Sequence, residues 1–535
     1  MSTSLGQGEF ESIDPRTGEA VARVRESGVQ DIVAAATAAQ AAAADPGFRD
    51  PARRAELLRA LARRLREDGP SLHAVCGRET GLPDGRLTGE LERTCFQAEL
   101  FAELIEEGSY VRATIDTADP SAPVAPRPDL RRMMIPLGPV AVFGASNFPY
   151  AFGVVGGDTV SALAAGCPVI AKSHPSHAGT SERVAAVVRS ELARLELPAA
   201  AFSIAQGAGI EVGRTLVEAD EVEAVAFTGS LGGGRALFDL AAARARPVPV
   251  FAEMGSINPY VVTRGAAAAR GESIADALGA SVLLGAGQLC TKPGLALVPA
   301  GDAGEGIARR VAASLSRKGA VTLLNDAIRT NLVRAVAEVD SVTGVVPLTD
   351  RATSAAGPGA SCVPVAWSVP AQRLVDDRRL LSECFGPAII FAFYESVEQL
   401  TEVVATLEGQ LTATVEAEAA ELASLEPVVS RLTRRVGRLL FAGVPTGVAV
   451  AHAMTHGGPY PATTSAGHTS VGTAALDRFL RPVTFQSAPQ AMLPDPLRDD
   501  NPRGILRMVN GVYTRSPVVS EDDRSSAAPH EREHR

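Results

Sequence analysis

The chain has no paired cysteine motif, no dense run of basic residues and no apolar run long enough to span a membrane. Its six cysteines, at positions 76, 95, 167, 290, 362 and 384, are scattered without a CxxC pair. This scatter argues against a disulfide framework or a zinc knuckle and favours a reducing, cytoplasmic compartment. For the same reason we expect no metal site. We also expect no signal peptide, because the first residues lack a basic stretch followed by an apolar one.

Lysine is scarce, and the overall charge is negative. The chain has three lysines, Lys172, Lys292 and Lys318, and 48 arginines. The scarcity of lysine is a weak indication that these three positions have a specific role. The net charge of -10 argues against a nucleic-acid partner or an anionic membrane surface. A chain of 535 residues is too long for one simple core, so we expect two or three domains.

The order of apolar segments predicts an α/β protein. Residues 29–110 have a helical pattern, and 114–132 are proline-rich and extended. From about residue 135, short apolar runs (PVAVFGA, PVIAKS, AFSIAQ, AVAFTG) alternate with alanine-rich helical segments. Such alternation is typical of a parallel sheet with helices on both faces. A second alternating region spans about 250–445, and the polar last residues are expected to form a flexible tail.

Two strand ends could bind phosphate or nucleotide. Thr228, Gly229 and Ser230 lie where an apolar strand ends and a helix begins, which leaves helical N–H groups free for a phosphate. Lys172 also ends an apolar strand, at the sheet edge where open α/β proteins bind ligands. Each feature also fits a plain glycine-rich turn or a surface lysine.

The segment GAGQLCTK contains Cys290 and allows two interpretations. The apolar SVLL before it fits a buried structural cysteine. The glycines instead indicate a tight bend or a close approach, and a thiol beside exposed backbone amides is a setting in which thiolates become reactive.

Taken in order, six segments resemble successive motifs of the aldehyde dehydrogenase superfamily: GASNFPYAF, PVIAKSHPSH, AVAFTGS, VFAEMGSINP, GAGQLCTKPG and ECFGPAII. The resemblance covers about residues 10–510. It implies a Rossmann-type cofactor domain, an α/β catalytic domain and a small β oligomerisation element. The expected bounds are 10–113 and 134–249 for the cofactor domain, 250–445 for the catalytic domain, 114–133 and 446–510 for the oligomerisation and C-terminal elements, and 511–535 for the flexible tail.

The resemblance also implies a reaction, the NAD(P)-dependent oxidation of an aldehyde to a carboxylic acid. Cys290 would be the nucleophile that forms a thiohemiacetal and then a thioester. Asn147 would donate to the oxyanion, and Glu253 would be the base that activates water. Apolar neighbours of Glu253 suggest a raised pKa. The residues expected to bind the cofactor are Ser146, Lys172, Thr228, Gly229, Ser230, Glu383 and Phe385.

Several segments depart from the common family pattern. Pro175 stands where many members carry an acid that contacts the adenosine ribose, which permits NADP, and we favour NADP over NAD. Arg214, His174 and His177 are candidates to meet its 2′-phosphate. His452 and His456 have the spacing of a metal pair but lack an intervening glutamate, and His456 is better explained as a polar group near the active site.

The detailed wording of RPDLRRMMIPLGPVAVFGASNFP, HPSHAGTSE and HGGPYPATT resembles one branch of the family. That branch contains 2-oxoglutarate semialdehyde dehydrogenases and an NADP-dependent fatty aldehyde dehydrogenase. We therefore expect 2-oxoglutarate semialdehyde as the substrate, with aliphatic aldehydes as the alternative. A CoA-acylating enzyme is disfavoured by Glu253, and a non-catalytic nucleotide-binding relative by the presence of Cys290, Asn147 and Glu253 together. A homodimer or homotetramer is expected, because exposed strand edges need a partner.

Overall fold

A computed structural model of the protein describes residues 8–350 and 359–518. The helices are α1 (Val29–Ala42), α2 (Pro46–Arg49), α3 (Pro51–Thr80), α4 (Asp84–Glu107), α5 (Gly157–Ala165), α6 (Ala178–Arg194), α7 (Glu211–Glu218), α8 (Leu231–Ala242), α9 (Arg264–Leu283), α10 (Asp302–Lys318), α11 (Asp326–Asp340), α12 (Gln372–Asp376), α13 (Val397–Thr406) and α14 (Glu426–Thr433). The strands are β1 (Glu9–Ile13), β2 (Ala20–Arg25), β3 (Thr114–Asp116), β4 (Leu130–Pro136), β5 (Val140–Phe143), β6 (Val169–Lys172), β7 (Phe202–Ala205), β8 (Ala224–Thr228), β9 (Val250–Glu253), β10 (Pro259–Val262), β11 (Leu295–Pro299), β12 (Val321–Thr322), β13 (Val346–Pro347), β14 (Ser361–Cys362), β15 (Val365–Pro370), β16 (Ala388–Tyr394), β17 (Gln410–Glu416), β18 (Val436–Phe441), β19 (Leu480–Gln486), β20 (Arg507–Val509) and β21 (Val512–Thr514).

The first sheet is parallel, with strand order β7-β6-β5-β8-β9. Its strands are the apolar runs of the sequence, which are buried because helices cover both faces. Lys172, Thr228 and Glu253 are the last residues of β6, β8 and β9. All parallel strands end at the same edge, so these three side chains are brought to one side of the sheet.

The second sheet has seven strands in the order β13-β15-β16-β11-β10-β17-β18, and every pair except β13–β15 is parallel. Cys290 lies just before β11, and Glu383 just before β16. Because β11 and β16 are hydrogen-bonded neighbours in parallel register, the segments that precede them lie side by side. Together the two parallel sheets confirm the predicted α/β fold class.

A helical hairpin supports the first sheet. Proline at the first position of α3 and a cap by the Asp50 side chain start that helix, and Gly81 in a left-handed conformation ends it. A stripe of leucines on α3, formed by Leu57, Leu58, Leu61 and Leu65, is buried in the main core cluster. This stripe packs α3 among α4, α5 and α6.

The third sheet has the order β19-β4-β3-β20-β21 and joins distant parts of the chain. Strand β3 and the start of β4 come from the proline-rich stretch, and β19 comes from the segment 446–510 that was expected to contribute to the oligomerisation and C-terminal elements. Strand β21 (Val512–Thr514) pairs with β20, which corrects the predicted start of the tail at residue 511. The tail residues 519–535 lie outside the described part of the chain. No helix among the described residues is long and apolar enough to cross a membrane.

A buried ion pair fixes the turn before β19 to the first domain. Arg478 donates to Asp158 of α5 at 2.7 Å, and both side chains are less than a tenth exposed. We expect Asp158→Asn to destabilise the protein by about 3 kcal/mol, because a buried guanidinium loses its counter-charge. The shift of the urea unfolding curve measures this loss.

The neighbouring pair of Asp477 and Arg112 provides the matched control, since Arg112 is 57% exposed. Asp477→Asn should cost less than about 1 kcal/mol, as for other solvent-screened pairs. Equal shifts for the two variants would contradict the assignment of a structural role to the buried pair.

Candidate active site

A cavity of about 1720 Å³ opens between the carboxyl edge of the first sheet and the amino edge of the second. Segments that follow all five strands of the first sheet line it, and so do segments that precede β11, β16 and β17. The site residues predicted from the sequence that line this cavity are Ser146, Asn147, Thr228, Gly229, Ser230, Glu253, Cys290, Glu383 and Phe385. Lys172 is set just behind the cavity wall, in the strand that leads to His174.

The glycines before Cys290 form a left-handed turn. Gly285, Ala286 and Gly287 have φ values of 58°, 55° and 69°. A side chain at Gly287 would collide with the backbone oxygen of Gly386, so only glycine allows this close approach. The turn therefore presses the nucleophile loop against the ECFGP segment.

Lys292 holds the same two segments together from inside the protein. Its side chain is buried, and Nζ donates to the backbone oxygens of Ala388 at 2.8 Å and Cys384 at 3.1 Å. On the other side of the loop, Asn258 Nδ2 donates to the Cys290 carbonyl at 2.8 Å. The scarce lysine beside the cysteine therefore has a positioning role in the described structure.

Asn147 contacts the nucleophile loop through its side-chain amide. One N–H of Nδ2 donates to the carbonyl of Gln288 at 2.9 Å, and the second N–H of the same amide is not used in that hydrogen bond. The loop that carries Asn147 is anchored by Glu90 of α4. The buried Glu90 carboxylate accepts the backbone N–H groups of Tyr150 at 2.8 Å and Ala151 at 3.0 Å. No motif in the sequence pointed to Glu90, because its function is to accept backbone N–H groups from a distant loop.

Cys290, His456 and Glu253 meet at one point. His456 Nε2 lies 3.3 Å from Cys290 Sγ and 3.0 Å from Glu253 Oε1. The other carboxylate oxygen, Oε2, accepts a hydrogen bond from Ser470 Oγ at 2.7 Å. His456 Nδ1 is buried without a partner among the described residues, so Nε2, which faces Glu253 Oε1 and Cys290 Sγ, is the ring nitrogen that donates.

The electrostatics of this cluster differ from the expectation for Glu253. Burial pushes the pKa of Glu253 upward, but the charge and hydrogen bond of His456 and the bonds from Ser470 and Cys290 outweigh it and lower the pKa. The expected raised pKa of Glu253 was therefore wrong. Burial and the negative charge of Glu253 instead raise the pKa of Cys290 well above its ordinary value.

The three donors Glu253, Cys290 and His456 lie within 4.8 Å of one another and form a set that could also hold a soft metal ion. His452 takes no part in this cluster. It is exposed, and its Nδ1 lies 3.3 Å from Thr473 Oγ1.

The turn after β8 suits a phosphate. Ser230 begins α8, and its Oγ accepts the N–H of Gly233 at 3.2 Å. Thr228 Oγ1 is buried without a partner among the described residues. A Cβ atom at Gly229 would lie 2.5 Å from the Phe227 ring, so only glycine fits at this position of the cavity wall. These features fit a dinucleotide cofactor whose pyrophosphate approaches the start of α8.

Lys172 and the three other residues considered for contact with a 2′-phosphate differ in burial and in hydrogen-bond partners. Lys172 Nζ donates to the Gly207 carbonyl at 2.8 Å, and burial lowers the pKa of Lys172 to about 8. His174 lines the cavity, but desolvation and the charge of Lys172 hold its pKa well below its usual value. His177 is buried, with Nε2 2.9 Å from the Ala145 carbonyl. Arg214 is exposed and pairs with Glu218.

Glu383 and Phe385 line the cavity near Cys290. Burial raises the pKa of Glu383 to about 7 against the opposing charge of Lys292. A side chain at Gly255 would lie 2.7 Å from Glu383 Oε2, so the AEMG segment and the ECFGP segment are in close contact.

The family model described as the aldehyde dehydrogenase family matches residues 2–481. The chain belongs to the aldehyde dehydrogenase family. It is 43% identical over 460 residues to alpha-ketoglutaric semialdehyde dehydrogenase 2 of Azospirillum brasilense, covering 86% of this chain and 87% of the relative. It is 42% identical over 475 residues to alpha-ketoglutaric semialdehyde dehydrogenase of Acinetobacter baylyi, covering 86% and 88%.

Solved structures agree with the fold. The NAD-dependent aldehyde dehydrogenase of Sinorhizobium meliloti superposes with a TM-score of 0.76 at 22% identity, over 90% of this chain and 92% of that one. The predicted family is confirmed, and the chain is an oxidoreductase that oxidises a small aldehyde. Aldehyde dehydrogenases use NAD or NADP as the hydride acceptor.

In this aldehyde dehydrogenase, alkylation of Cys290 without cofactor should depend on pH in a defined way. Because the thiol pKa is raised, the rate of modification by iodoacetamide should keep rising with pH beyond the range of an ordinary cysteine. Glu253→Gln removes the neighbouring negative charge, so it should lower the thiol pKa and shift the rate profile to lower pH.

Cys290→Ala is the control that identifies the labelled thiol in mass spectra. A profile that levels off near neutral pH, or that moves to higher pH in Glu253→Gln, would contradict the electrostatic account.

Proposed function

We propose that the enzyme oxidises 2-oxoglutarate semialdehyde to 2-oxoglutarate in the cytoplasm, through covalent intermediates on Cys290. The observation that carries the proposal is the contact of His456 Nε2 with Cys290 Sγ at 3.3 Å and with Glu253 Oε1 at 3.0 Å. It gives a thiol, a proton-carrying group and a base in one place. Two relatives above 40% identity that are named as alpha-ketoglutaric semialdehyde dehydrogenases support the choice of substrate.

In the first step, Cys290 Sγ gives its proton to Glu253, which passes it on to solvent, and the thiolate adds to the aldehyde carbon. The oxygen of the resulting thiohemiacetal gains negative charge and takes hydrogen bonds from the free N–H of Asn147 Nδ2 and from the backbone N–H of Cys290. The hydrogen bond of Asn147 to Gln288 keeps the amide oriented before the substrate arrives.

The second step leaves a thioester on Cys290. When bound, NAD(P) supplies the acceptor for the hydride that leaves the carbon. Glu253 then accepts a proton from a water molecule, whose oxygen attacks the thioester carbon and releases the carboxylic acid and the thiol. Its lowered pKa keeps Glu253 ionised at neutral pH, so it is ready to act as a base.

The residues proposed for the cofactor are Lys172 with the adenosine ribose, Ser146, Thr228, Gly229 and Ser230 with the pyrophosphate, and Glu383 and Phe385 with the nicotinamide ribose and ring. NADP is the preferred cofactor in this proposal. Pro175 carries no charge to repel a 2′-phosphate, and Lys172 is the cation placed nearest to that position by the family resemblance. Since His174 is held neutral and Arg214 is engaged with Glu218, the preference depends on Lys172.

The domain assignment supports the same proposal. The residues proposed for the ribose and pyrophosphate lie at the carboxyl ends of strands of the first sheet, within 134–249. Cys290 and the proposed nicotinamide contacts Glu383 and Phe385 lie within 250–445. The exposed edge of β19, which includes Arg481 and Pro482, is the surface proposed for assembly into a homodimer or homotetramer.

The test of the substrate is cofactor reduction by purified enzyme with a panel of aldehydes. 2-Oxoglutarate semialdehyde should have a kcat/KM at least about 10-fold above those of straight-chain aldehydes, and Cys290→Ala should abolish turnover with all of them. Succinate semialdehyde serves as the shorter acidic control. A preference for straight-chain aldehydes would replace the proposed substrate but keep the covalent mechanism.

The cofactor preference should depend on pH through Lys172. Its ammonium group is charged below about pH 8 and attracts a 2′-phosphate, so the affinity for NADP relative to NAD should fall as the pH rises above about 8. Binding measured by isothermal titration for both cofactors between about pH 7 and 9.5 gives this ratio. Lys172→Met should flatten the profile, whereas a ratio that is constant in the native enzyme would refute the assignment.

A further inference from the structure

Arg93 of α4 is an arginine beside the active site that has no bonding partner. Its Nη1 is buried without a hydrogen bond, and no hydrogen bond or ion pair joins its guanidinium to any described residue. Two other arginines near the site differ from it. Arg86 pairs with Glu90 and donates to the Asn147 carbonyl, and Arg438 donates to the carbonyls of Gly447 and Pro445.

A short chain of contacts places Arg93 close to the nucleophile. Its Cζ lies 5.5 Å from the centroid of the Phe152 ring, and that ring lies 6.4 Å from the His456 ring. His456 in turn contacts Cys290 Sγ at 3.3 Å. The Arg93 charge also reaches Cys290, since it opposes the rise of the thiol pKa.

Arg93 lies near Cys290 but outside the large cavity that most of the proposed cofactor residues line. Phe152 and His456 do not line that cavity either. Phe152 belongs to a cluster of apolar side chains against which Phe148, Val450 and Met454 pack. In the proposal below, the aldehyde lies on the Phe152 side of Cys290, because the proposed cofactor residues line the large cavity.

Nearby carboxylates attract Arg93 only through space, because none of them is hydrogen-bonded or ion-paired to its guanidinium. Glu90 accepts two backbone N–H groups and pairs with Arg86, and Glu253 is bonded to Ser470 and faces His456. Arg93 is half-buried with its Nη1 shielded from solvent, and a desolvated guanidinium nitrogen is costly unless a ligand supplies a hydrogen-bonded negative charge. The planar fork of guanidinium N–H groups matches a carboxylate, which can accept two of them at once.

We propose that Arg93 binds the carboxylate at the far end of the substrate, while the aldehyde carbon faces Cys290. The proposal rests on the proposed function, since it assigns the part of the site that recognises an acidic semialdehyde. The apolar side chains around Phe152 would then pack against the carbon chain between the two ends. Arg93 thereby selects a short dicarboxylic semialdehyde over an uncharged aldehyde of the same length.

Kinetics of Arg93→Gln and Arg93→Lys test the role. In Arg93→Gln, kcat/KM for 2-oxoglutarate semialdehyde should fall about 100-fold, mainly through KM, because a charge-assisted hydrogen bond to the substrate is lost. The kcat/KM for pentanal should stay within about 3-fold, and Arg93→Lys should retain part of the preference. Arg64→Gln, a change at an exposed arginine paired with Glu67 and Asp68, is the matched control and should leave both substrates unaffected.

An equal loss for both aldehydes would overturn the proposal, because it would mean that Arg93 acts on the nucleophile or on folding. The pH profile of Cys290 alkylation separates these causes, since loss of the Arg93 charge alone should shift that profile only modestly to higher pH. A preserved preference for the acidic substrate in Arg93→Gln would overturn the proposal and leave the proposed function intact.

Inhibition by glutarate tests the anion site without relying on the proposed substrate. Glutarate should compete with pentanal in the native enzyme, and Arg93→Gln should raise its inhibition constant about 100-fold. Competition lost in the variant supports the carboxylate site even if the native enzyme prefers another acidic aldehyde. No competition in an active native enzyme, or equal competition in both proteins, would refute it.

Discussion

A buried carboxylate beside a half-buried thiol creates an electrostatic conflict that the rest of the active site has to moderate. Glu253 and the burial of Cys290 both disfavour the thiolate that the chemistry needs. His456 Nε2 lies between the two groups, and Ser470 holds the far oxygen of the carboxylate. The charge of Arg93 acts in the opposite direction to that of Glu253. The thiol is therefore kept protonated at rest, and a positive group in the substrate or cofactor region can bias it toward reaction. This arrangement protects a cysteine that would otherwise be exposed to oxidation and alkylation.

The two parallel sheets present opposite ends of their strands to the cavity, and each sheet contributes a different set of site residues. The first sheet presents its carboxyl edge, where the segments after β5, β6 and β8 form the proposed cofactor region and the end of β9 carries the proposed base. The second sheet presents its amino edge, and the segments before β11 and β16 carry the nucleophile and the predicted nicotinamide contacts. Lys292 and the close contact of Gly287 with Gly386 keep those two segments in register. Positions at strand ends are rigid without being regular secondary structure, which suits groups that must be held to a fraction of an ångström.

The fold and most of the site could be predicted because their signals are local. An apolar run that ends in Lys172 or Thr228 identifies both a strand and a position at its edge. The motif around Cys290 likewise carries its own glycines and lysine. The remaining contacts depend on groups far apart in sequence. Glu90 acts on a loop near residue 150, and the partner of His456 is Cys290, 166 residues away. The direction of the Glu253 pKa could not be read from its apolar neighbours, because its polar partners Ser470 and His456 lie in a segment without periodic pattern. Arg93 was one of 48 arginines, and only the absence of a partner singles it out.

The anchoring of the oxyanion loop by Glu90 has a consequence for how the enzyme fails under stress. In the loop that carries Asn147, the backbone N–H groups of Tyr150 and Ala151 both donate to the carboxylate of Glu90 on α4. Hydrogen bonds of this kind are lost together when the element that carries the acceptor shifts. Local opening of the α3–α4 hairpin would therefore release the oxyanion donor while both parallel sheets remain folded. Catalytic competence thus depends on the integrity of a helical hairpin that lies outside both parallel sheets and carries none of Cys290, Asn147 and Glu253.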